Sequence, residues 1–232
     1  MRKLLFILLI LCLSPAFYSI NKENSEMLQK LNADSDIERL YYEMNLNKTI
    51  NYSAFEQAMK GYYQIKKKKK EILTLIDFSK PSTEERLFVL DIKAQKLLHS
   101  SLVSHGKNSG GLYATSFSNR NGSFQSSLGF YLTENTYTGK NGYSLILEGL
   151  EKGINDKAKE RAIVVHGAPY SNPSVIASSG RLGRSLGCPA LPENVSREII
   201  NTIKGGSLLF IYAKDKKYLS QSPIFRNRKP VA

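Results

Sequence analysis

Apolar positions recur at helical spacing in the first third of the chain and at strand spacing from about residue 71 onward. Ile37, Leu40, Tyr41 and Met44 fall three and four residues apart, the period of one helix face. Ser53-Ala54-Phe55-Glu56 has the spacing of a capping box, and Phe55, Met59, Tyr62 and Tyr63 line the face that follows. After the lysine run 66–70 the pattern changes. Ile72–Phe78 and Leu87–Ile92 read as strands, and Lys96–Val103 as a hairpin partner across a Lys93-Ala94-Gln95 turn. Residues 105–126 are rich in Gly, Ser and Asn and read as loop. Leu128–Thr133 and Tyr143–Glu148 are further strands. Ala162–Val165 is a short buried strand that delivers His166 and Gly167 at its C-terminal end. Residues 168–187 read as a Gly/Ser/Pro-rich loop. Val195, Ile199, Ile200 and Ile203 mark a helix stopped by Gly205-Gly206, and Ser207–Tyr212 closes the set as a strand.

These elements predict a mainly β architecture with a few helices, an α+β fold, preceded by a helical extension. The expected divisions are a signal at 1–16, a helical extension at 17–70, a mainly β domain at 71–213 and a basic, partly mobile tail at 214–232. The signal is expected because Arg2 and Lys3 precede an apolar run, Leu4–Leu13, followed by Ser14-Pro15-Ala16. That run is shorter than the roughly 20 residues a membrane-spanning helix needs. Cleavage after Ala16 is expected, because small residues stand at 14 and 16. Cys12 invites a lipoprotein reading, but Leu11 stands where such a motif wants a small residue. An uncleaved anchor is the rival.

Composition adds to this picture. With 232 residues, 41% of them hydrophobic and 23% charged, the chain has the make-up of a folded protein. Its net charge is +13. Removing 1–16 takes away Arg2 and Lys3 and no acid, leaving about +11, so the charge belongs to the mature chain. A basic surface favours anionic partners such as nucleic acid, anionic lipid or an acidic wall polymer. The lysine run reads as a solvated segment, and no nucleic-acid-binding motif accompanies it. Two cysteines exclude a disulfide-dense scaffold, and loss of 1–16 leaves Cys188 alone.

The candidate chemistry gathers around that cysteine, in Gly180-Arg181-Leu182-Gly183-Arg184-Ser185-Leu186-Gly187-Cys188-Pro189. Glycines beside a nucleophile let backbone N–H groups face a reacting oxygen. Arg181 and Arg184 place positive charge near a thiol that is otherwise little ionised at neutral pH. Of the three histidines, His99 sits in a strand and reads as structural. His105 opens a loop and could line a site. His166 ends a rigid apolar strand and supplies a base for Cys188. His105, His166 and Cys188 could ligate zinc in principle, but no spacing supports it, and no metal or cofactor is implied.

His166-Gly167-Ala168 followed by Ser185-Leu186-Gly187-Cys188 resembles the signature of the L,D-transpeptidase catalytic domain family, bacterial enzymes that remodel peptidoglycan. The match is to a subgroup with Gly-Arg-Ser-x-Gly-Cys-Pro-Ala, here residues 183–190. Asp77–Ser82, His105–Gly110 and Ser126–Tyr131 also resemble it, and the likeness covers roughly residues 52–213. It implies a β-sandwich catalytic domain, with Cys188 as nucleophile and His166 as base. The Gly167 carbonyl would orient the imidazole, and N–H groups around Gly187 and Cys188 would form the oxyanion hole. Ser185 would support the loop. The implied substrate is a peptidoglycan stem tetrapeptide, whose third, L-centred carbonyl is attacked with loss of D-Ala. An amine of a second stem would then give a 3–3 cross-link, or water a tripeptide. Ala190 departs from the Arg or Asn usual two residues after the cysteine. Arg184 is the candidate to bind a stem carboxylate in its stead, with Tyr131 and His105 as further substrate contacts.

Three functions therefore stand: a transpeptidase, an L,D-carboxypeptidase, and an inactive basic wall-binding module. All three place the protein outside the cytoplasm, in the periplasm or cell envelope, away from nucleic acid. The N-terminal segment would meet membrane only during export.

Overall fold

A computed structural model describes residues 15–226. The expected signal segment lies outside the described residues except for Pro15 and Ala16, which begin the first helix, α1 (Pro15–Glu43). The C-terminal turns of α1 join the core through Ile37, Leu40 and Tyr41, and Met44 follows just past the helix end. Leu31, two turns earlier, is exposed. No helix among the described residues is long and apolar enough to cross a membrane.

A short 3-10 turn, Leu46–Lys48, leads to α2 (Tyr52–Gln64). The capping residue is Asn51 rather than Ser53: its side chain accepts from Ser53 N and Ala54 N. Phe55, Met59 and Tyr62 turn inward as expected, whereas Tyr63 is exposed. The inward face presses close to the sheet. A Cβ on Gly61 would lie 2.0 Å from Phe130 Cζ, so only glycine fits there.

Eight strands follow: β1 (Ile72–Asp77), β2 (Leu87–Asp91), β3 (Lys96–Ser101), β4 (Gly129–Gly139), β5 (Gly142–Gly149), β6 (Val164–Gly167), β7 (Ala190–Leu191) and β8 (Leu208–Tyr212). They form one mixed sheet in the order β3-β2-β1-β8-β4-β5-β6-β7. The central neighbours β1 and β8 run parallel, Leu73 opposite Leu208, and are buried almost throughout. Strands covered on both faces read as near-continuous apolar runs, which is why both were visible in the sequence. The two edges of the sheet meet beyond β3. Ser104 N–H donates to Ala190 O at 2.8 Å, Lys107 N–H to Ser185 O at 2.8 Å, and Ser185 N–H to His105 O at 2.9 Å. The α+β class thus takes the form of a sheet curled so that its edges join.

Four more helices complete the fold: α3 (Pro173–Ser179), α4 (Glu193–Ile203), α5 (Lys216–Gln221) and α6 (Pro223–Arg226). Helix α3 lies where a loop was expected. It begins at a proline and ends at Gly180, whose φ of 68° is the left-handed cap. Helix α4 buries Ile199, Ile200 and Ile203.

The described part of the expected mobile tail is folded instead. Tyr218 and Ile224 are buried, and Phe225 packs against Phe130 and Phe210. The lysine run is also anchored. Lys69 N–H donates to Gly206 O at 2.7 Å, and Lys67 pairs with Glu148.

Candidate active site

The register of the sheet edge sets the site. Strand β6 pairs in parallel with β7, His166 opposite Ala190 and Gly167 opposite Leu191. Cys188 therefore lies two residues ahead of the residue paired with His166. Tyr170 sits beside both: its ring is edge-on to that of His166 at 6.4 Å, and burial and then the Cys188 charge raise its hydroxyl pKa.

His166 is buried, and its Nδ1 lies 2.9 Å from Gly167 O. A carbonyl only accepts, so Nδ1 carries the proton and Nε2 keeps its lone pair. Burial holds the His166 pKa below the ordinary histidine value, with the Gly167 bond opposing, so the ring rests neutral. Neutrality and this tautomer are what a base needs.

The Cys188 sulfur is also largely covered, with the residue 9% exposed. Its thiol donates to Ala162 O at 3.7 Å. Ala162 itself holds an unusual φ of 51° for a non-glycine residue. Burial pushes the thiol pKa up, while Val164 N–H and then Arg161 pull it down. The resting pair is thus thiol and imidazole, not thiolate and imidazolium.

Ser185 shapes the cysteine turn. Its Oγ accepts from Gly187 N at 3.0 Å and donates to Cys188 O at 2.6 Å. Gly187, at φ 131°, also accepts at its own carbonyl from Ser126 Oγ, so both of its backbone groups are occupied. This corrects the expected oxyanion role of Gly187, whose N–H is spent inside the turn. Cys188 N–H has no acceptor among the described residues and is the donor that remains. The nearby Gly183 also has a packing role. Its N–H donates to Tyr170 O at 2.7 Å, and a Cβ there would lie 2.5 Å from Tyr170 Cβ.

The arginines expected beside the thiol face elsewhere. Arg181 Nη1 donates to Leu182 O, and Arg184 Nη1 donates to Lys107 O and Gly110 O. Arg184 is exposed, and its other nitrogens have no protein partner among the described residues. The cation beside the cysteine turn is Arg161, which was not anticipated. Its Nη2 lies 3.4 Å from where a Cβ on Gly187 would stand. Its partners are backbone and hydroxyl oxygens of residues 118–127, and nothing in its own sequence neighbourhood announces them.

Two expected substrate contacts are internal. Tyr131 is buried and donates its hydroxyl to Ser127 O at 3.0 Å. His105 is 1% exposed, and Arg86 Nη2 lies 2.9 Å from its Nδ1. Guanidinium only donates, so Nδ1 accepts and Nε2–H faces Gly110 O at 3.4 Å. Both ring nitrogens are engaged, which corrects the expectation that His105 meets substrate. Ala190 is fully buried in β7 and offers no contact. His99 is structural as expected, with Nε2 3.0 Å from Thr202 Oγ1. No metal-holding group of three or more His, Cys, Asp or Glu residues occurs among the described residues.

Residues 46–212 match a family described as the L,D-transpeptidase catalytic domain. No curated protein matches the chain. Among solved structures, an L,D-transpeptidase from Mycobacterium smegmatis is 16% identical, with 62% of this chain and 59% of that one covered and a TM-score of 0.39. L,D-transpeptidase 3 from Mycobacterium tuberculosis is 11% identical, covering 62% and 61%, with a TM-score of 0.40. The helical cell shape determining protein Pgp2 from Campylobacter jejuni is 14% identical, covering 69% and 56%, with a TM-score of 0.40. The chain spans less than two thirds of the length of each of these proteins. The family match runs from the turn before α2 through the whole of β8, well over half of the sequence, and the chain belongs to the L,D-transpeptidase catalytic domain family.

Proposed function

We propose that this protein is a peptidoglycan L,D-transpeptidase with Cys188 as nucleophile and His166 as base. The observation that carries the reading is the fixed tautomer of His166, which leaves Nε2 unprotonated on the strand that pairs with the cysteine segment. As the sulfur bonds to the L-centred carbonyl carbon of a stem tetrapeptide, Nε2 takes the thiol proton. The carbonyl oxygen becomes an oxyanion that Cys188 N–H faces. Collapse expels D-Ala, whose leaving amine takes the proton back from His166, and a thioester remains. An amine of a second stem attacks the thioester, restores the thiol and forms the 3–3 cross-link. Arg184 has unpartnered donors for a stem carboxylate, which would offset the missing polar side chain at Ala190.

Export goes with this reading. A signal at 1–16, delivery to the periplasm or cell envelope, and a basic surface suited to a polymer rich in carboxylates form one proposal. The helical extension to residue 70 would then join the catalytic unit to its N-terminal segment.

Product analysis tests it. Purified protein and its Cys188→Ala variant are incubated with disaccharide-tetrapeptide muropeptides and the products weighed by mass spectrometry. A cross-linked dimer that has lost one D-Ala, absent from the variant, is the expected result. Tripeptide monomer alone assigns an L,D-carboxypeptidase with water as acceptor. No product from either protein leaves the basic wall-binding module.

A further inference from the structure

Arg161 carries four bonds and no acid. Its Nη1 donates to Ser118 O at 2.8 Å and to Ser127 Oγ at 2.6 Å. Its Nη2 donates to Gln125 O at 2.6 Å and to Ser123 Oγ at 3.4 Å. All four acceptors are neutral, and no carboxylate pairs with this half-buried guanidinium among the described residues. A cation withdrawn from water without a counter-ion seeks the nearest group able to carry negative charge. Here such groups are Tyr131 and Cys188, and Nη2 packs against Gly187 of the cysteine turn. The same loop is stitched to the turn a second time, by Ser126 Oγ donating to Gly187 O at 3.0 Å.

We propose that Arg161 is the positioning residue of the site: its guanidinium clamps loop 118–127 against the cysteine turn and supplies the positive charge that stabilises the Cys188 thiolate as it forms from the resting thiol. This rests on the reading of Cys188 as the nucleophile. The groups facing the sulfur are few. Strand β6 offers Val164 N–H and carries His166 in register with Ala190, the turn after it offers Tyr170, and the segment before it offers Ala162 O and Arg161. Arg161 is the one permanent charge in that set. The coupling is mutual: burial lowers the Arg161 pKa, while Tyr131 and Cys188 raise it.

The test reads the thiol without any muropeptide. Iodoacetamide is attacked by the thiolate, a C–S bond forms, and iodide leaves. The rate of carbamidomethylation at Cys188 is followed against pH by peptide mass spectrometry, which separates it from Cys12. Arg161→Gln, checked for folding by circular dichroism, is expected to move the midpoint of the rate profile upward. Its rate at neutral pH should fall on the order of tenfold, the change in thiolate fraction for one unit of thiol pKa. Arg161→Lys keeps the charge but not the forked bonds, and its midpoint should stay near that of the native protein even where its melting temperature drops. A Gln profile that superimposes on the native one overturns the proposal, as does a Lys profile displaced as far as that of Gln. If Arg161→Gln does not fold, the Lys profile alone decides. A failed muropeptide assay beside displaced profiles overturns the transpeptidase reading and leaves the Arg161 assignment standing.

Discussion

His166 donates Nδ1–H to the carbonyl of its own neighbour, Gly167, at 2.9 Å. One backbone oxygen thus replaces the carboxylate that orients histidine in many nucleophilic sites, without adding a negative charge that would raise the ring's pKa. The consequence is a particular pH profile. Burial lowers the His166 pKa and raises that of Cys188, so thiol and neutral imidazole coexist over a wide range. On the proposed mechanism, activity fails on the acid side only when Nε2 is protonated, below the ordinary histidine value. It fails on the alkaline side only when the shared proton is lost, above the ordinary thiol range. D-Ala release measured from acid to alkaline pH should therefore give a broad bell whose two limbs belong to the pair. A narrow optimum near pH 6 would mean that the pair rests as thiolate and imidazolium.

Ser185 offers a second test, because its single hydroxyl satisfies two backbone groups of the cysteine turn. Ser185→Ala leaves Gly187 N–H and Cys188 O buried without these partners. Each loss costs about 1–3 kcal/mol. The expected result is a lower melting temperature together with a fall in turnover larger than any change in KM, since Cys188 N–H is no longer held where the proposed mechanism places the oxyanion. Ser185→Thr keeps the hydroxyl and should restore most of the turnover. Equal losses in both variants would point to crowding in the turn instead of hydrogen bonding.

His105 supplies stability, with the opposite tautomer to His166. Its Nδ1 accepts from Arg86, and burial, then Arg86, pulls its pKa down to about 4 from an ordinary 6.5. Above 6.5 both folded and unfolded chains hold it neutral, and it adds no pH dependence. As pH falls from 6.5 toward 4 the unfolded chain binds the proton first, so stability declines. Across that interval the loss approaches about 3 kcal/mol. Denaturant titrations at pH 7 and pH 4.5 should show this decline in the native protein and a shallower one in His105→Gln. Parallel slopes would move the acid sensitivity to other groups.

What the sequence disclosed follows from how local each feature is. Strands β1 and β8 are buried on both faces and so appear as unbroken apolar runs. His166 could be placed at the end of a strand because the branched residues before it have no other reading. Ser185 could be named as a loop support from its motif alone. Arg161 could not, because each of its four acceptors lies more than 30 residues away, on a loop whose fold is set by Gly106, Ser109 and Ser126. His105 opens a polar loop and so reads as able to line a site, yet Arg86 reaches it from the segment preceding β2 and engages its ring inside the protein. Helix α3 did carry its signals, Pro173 at the start and Gly180 at the end. They were masked by the Ser and Gly content of the segment around them. Asn51 as a cap was hidden by a better-looking serine two residues on.

The C-terminal helices carry the last prediction. Their anchor is Glu151, fully buried, which accepts from Phe130 N at 2.7 Å and Tyr218 OH at 3.0 Å, and also from Ser222 Oγ. Its carboxylate thus binds one backbone group of β4 and two side chains of the terminal segment, fastening α5 and α6 to the sheet. A tail held only by its positive charge would detach in salt. This one is held by a buried acceptor and by Tyr218, Ile224 and Phe225 in the core. Tyr218→Phe removes one donor and is expected to cost about 1 kcal/mol. Glu151→Ala orphans several buried donors at once and should cost several times more. Hydrogen exchange of the amides in 216–226 is the direct measurement. In the native protein they should be protected even at high ionic strength. In Glu151→Ala they should exchange far faster, while β1 and β8 keep most of their protection. Rapid exchange of 216–226 in the native protein would return this segment to the status of a mobile basic tail.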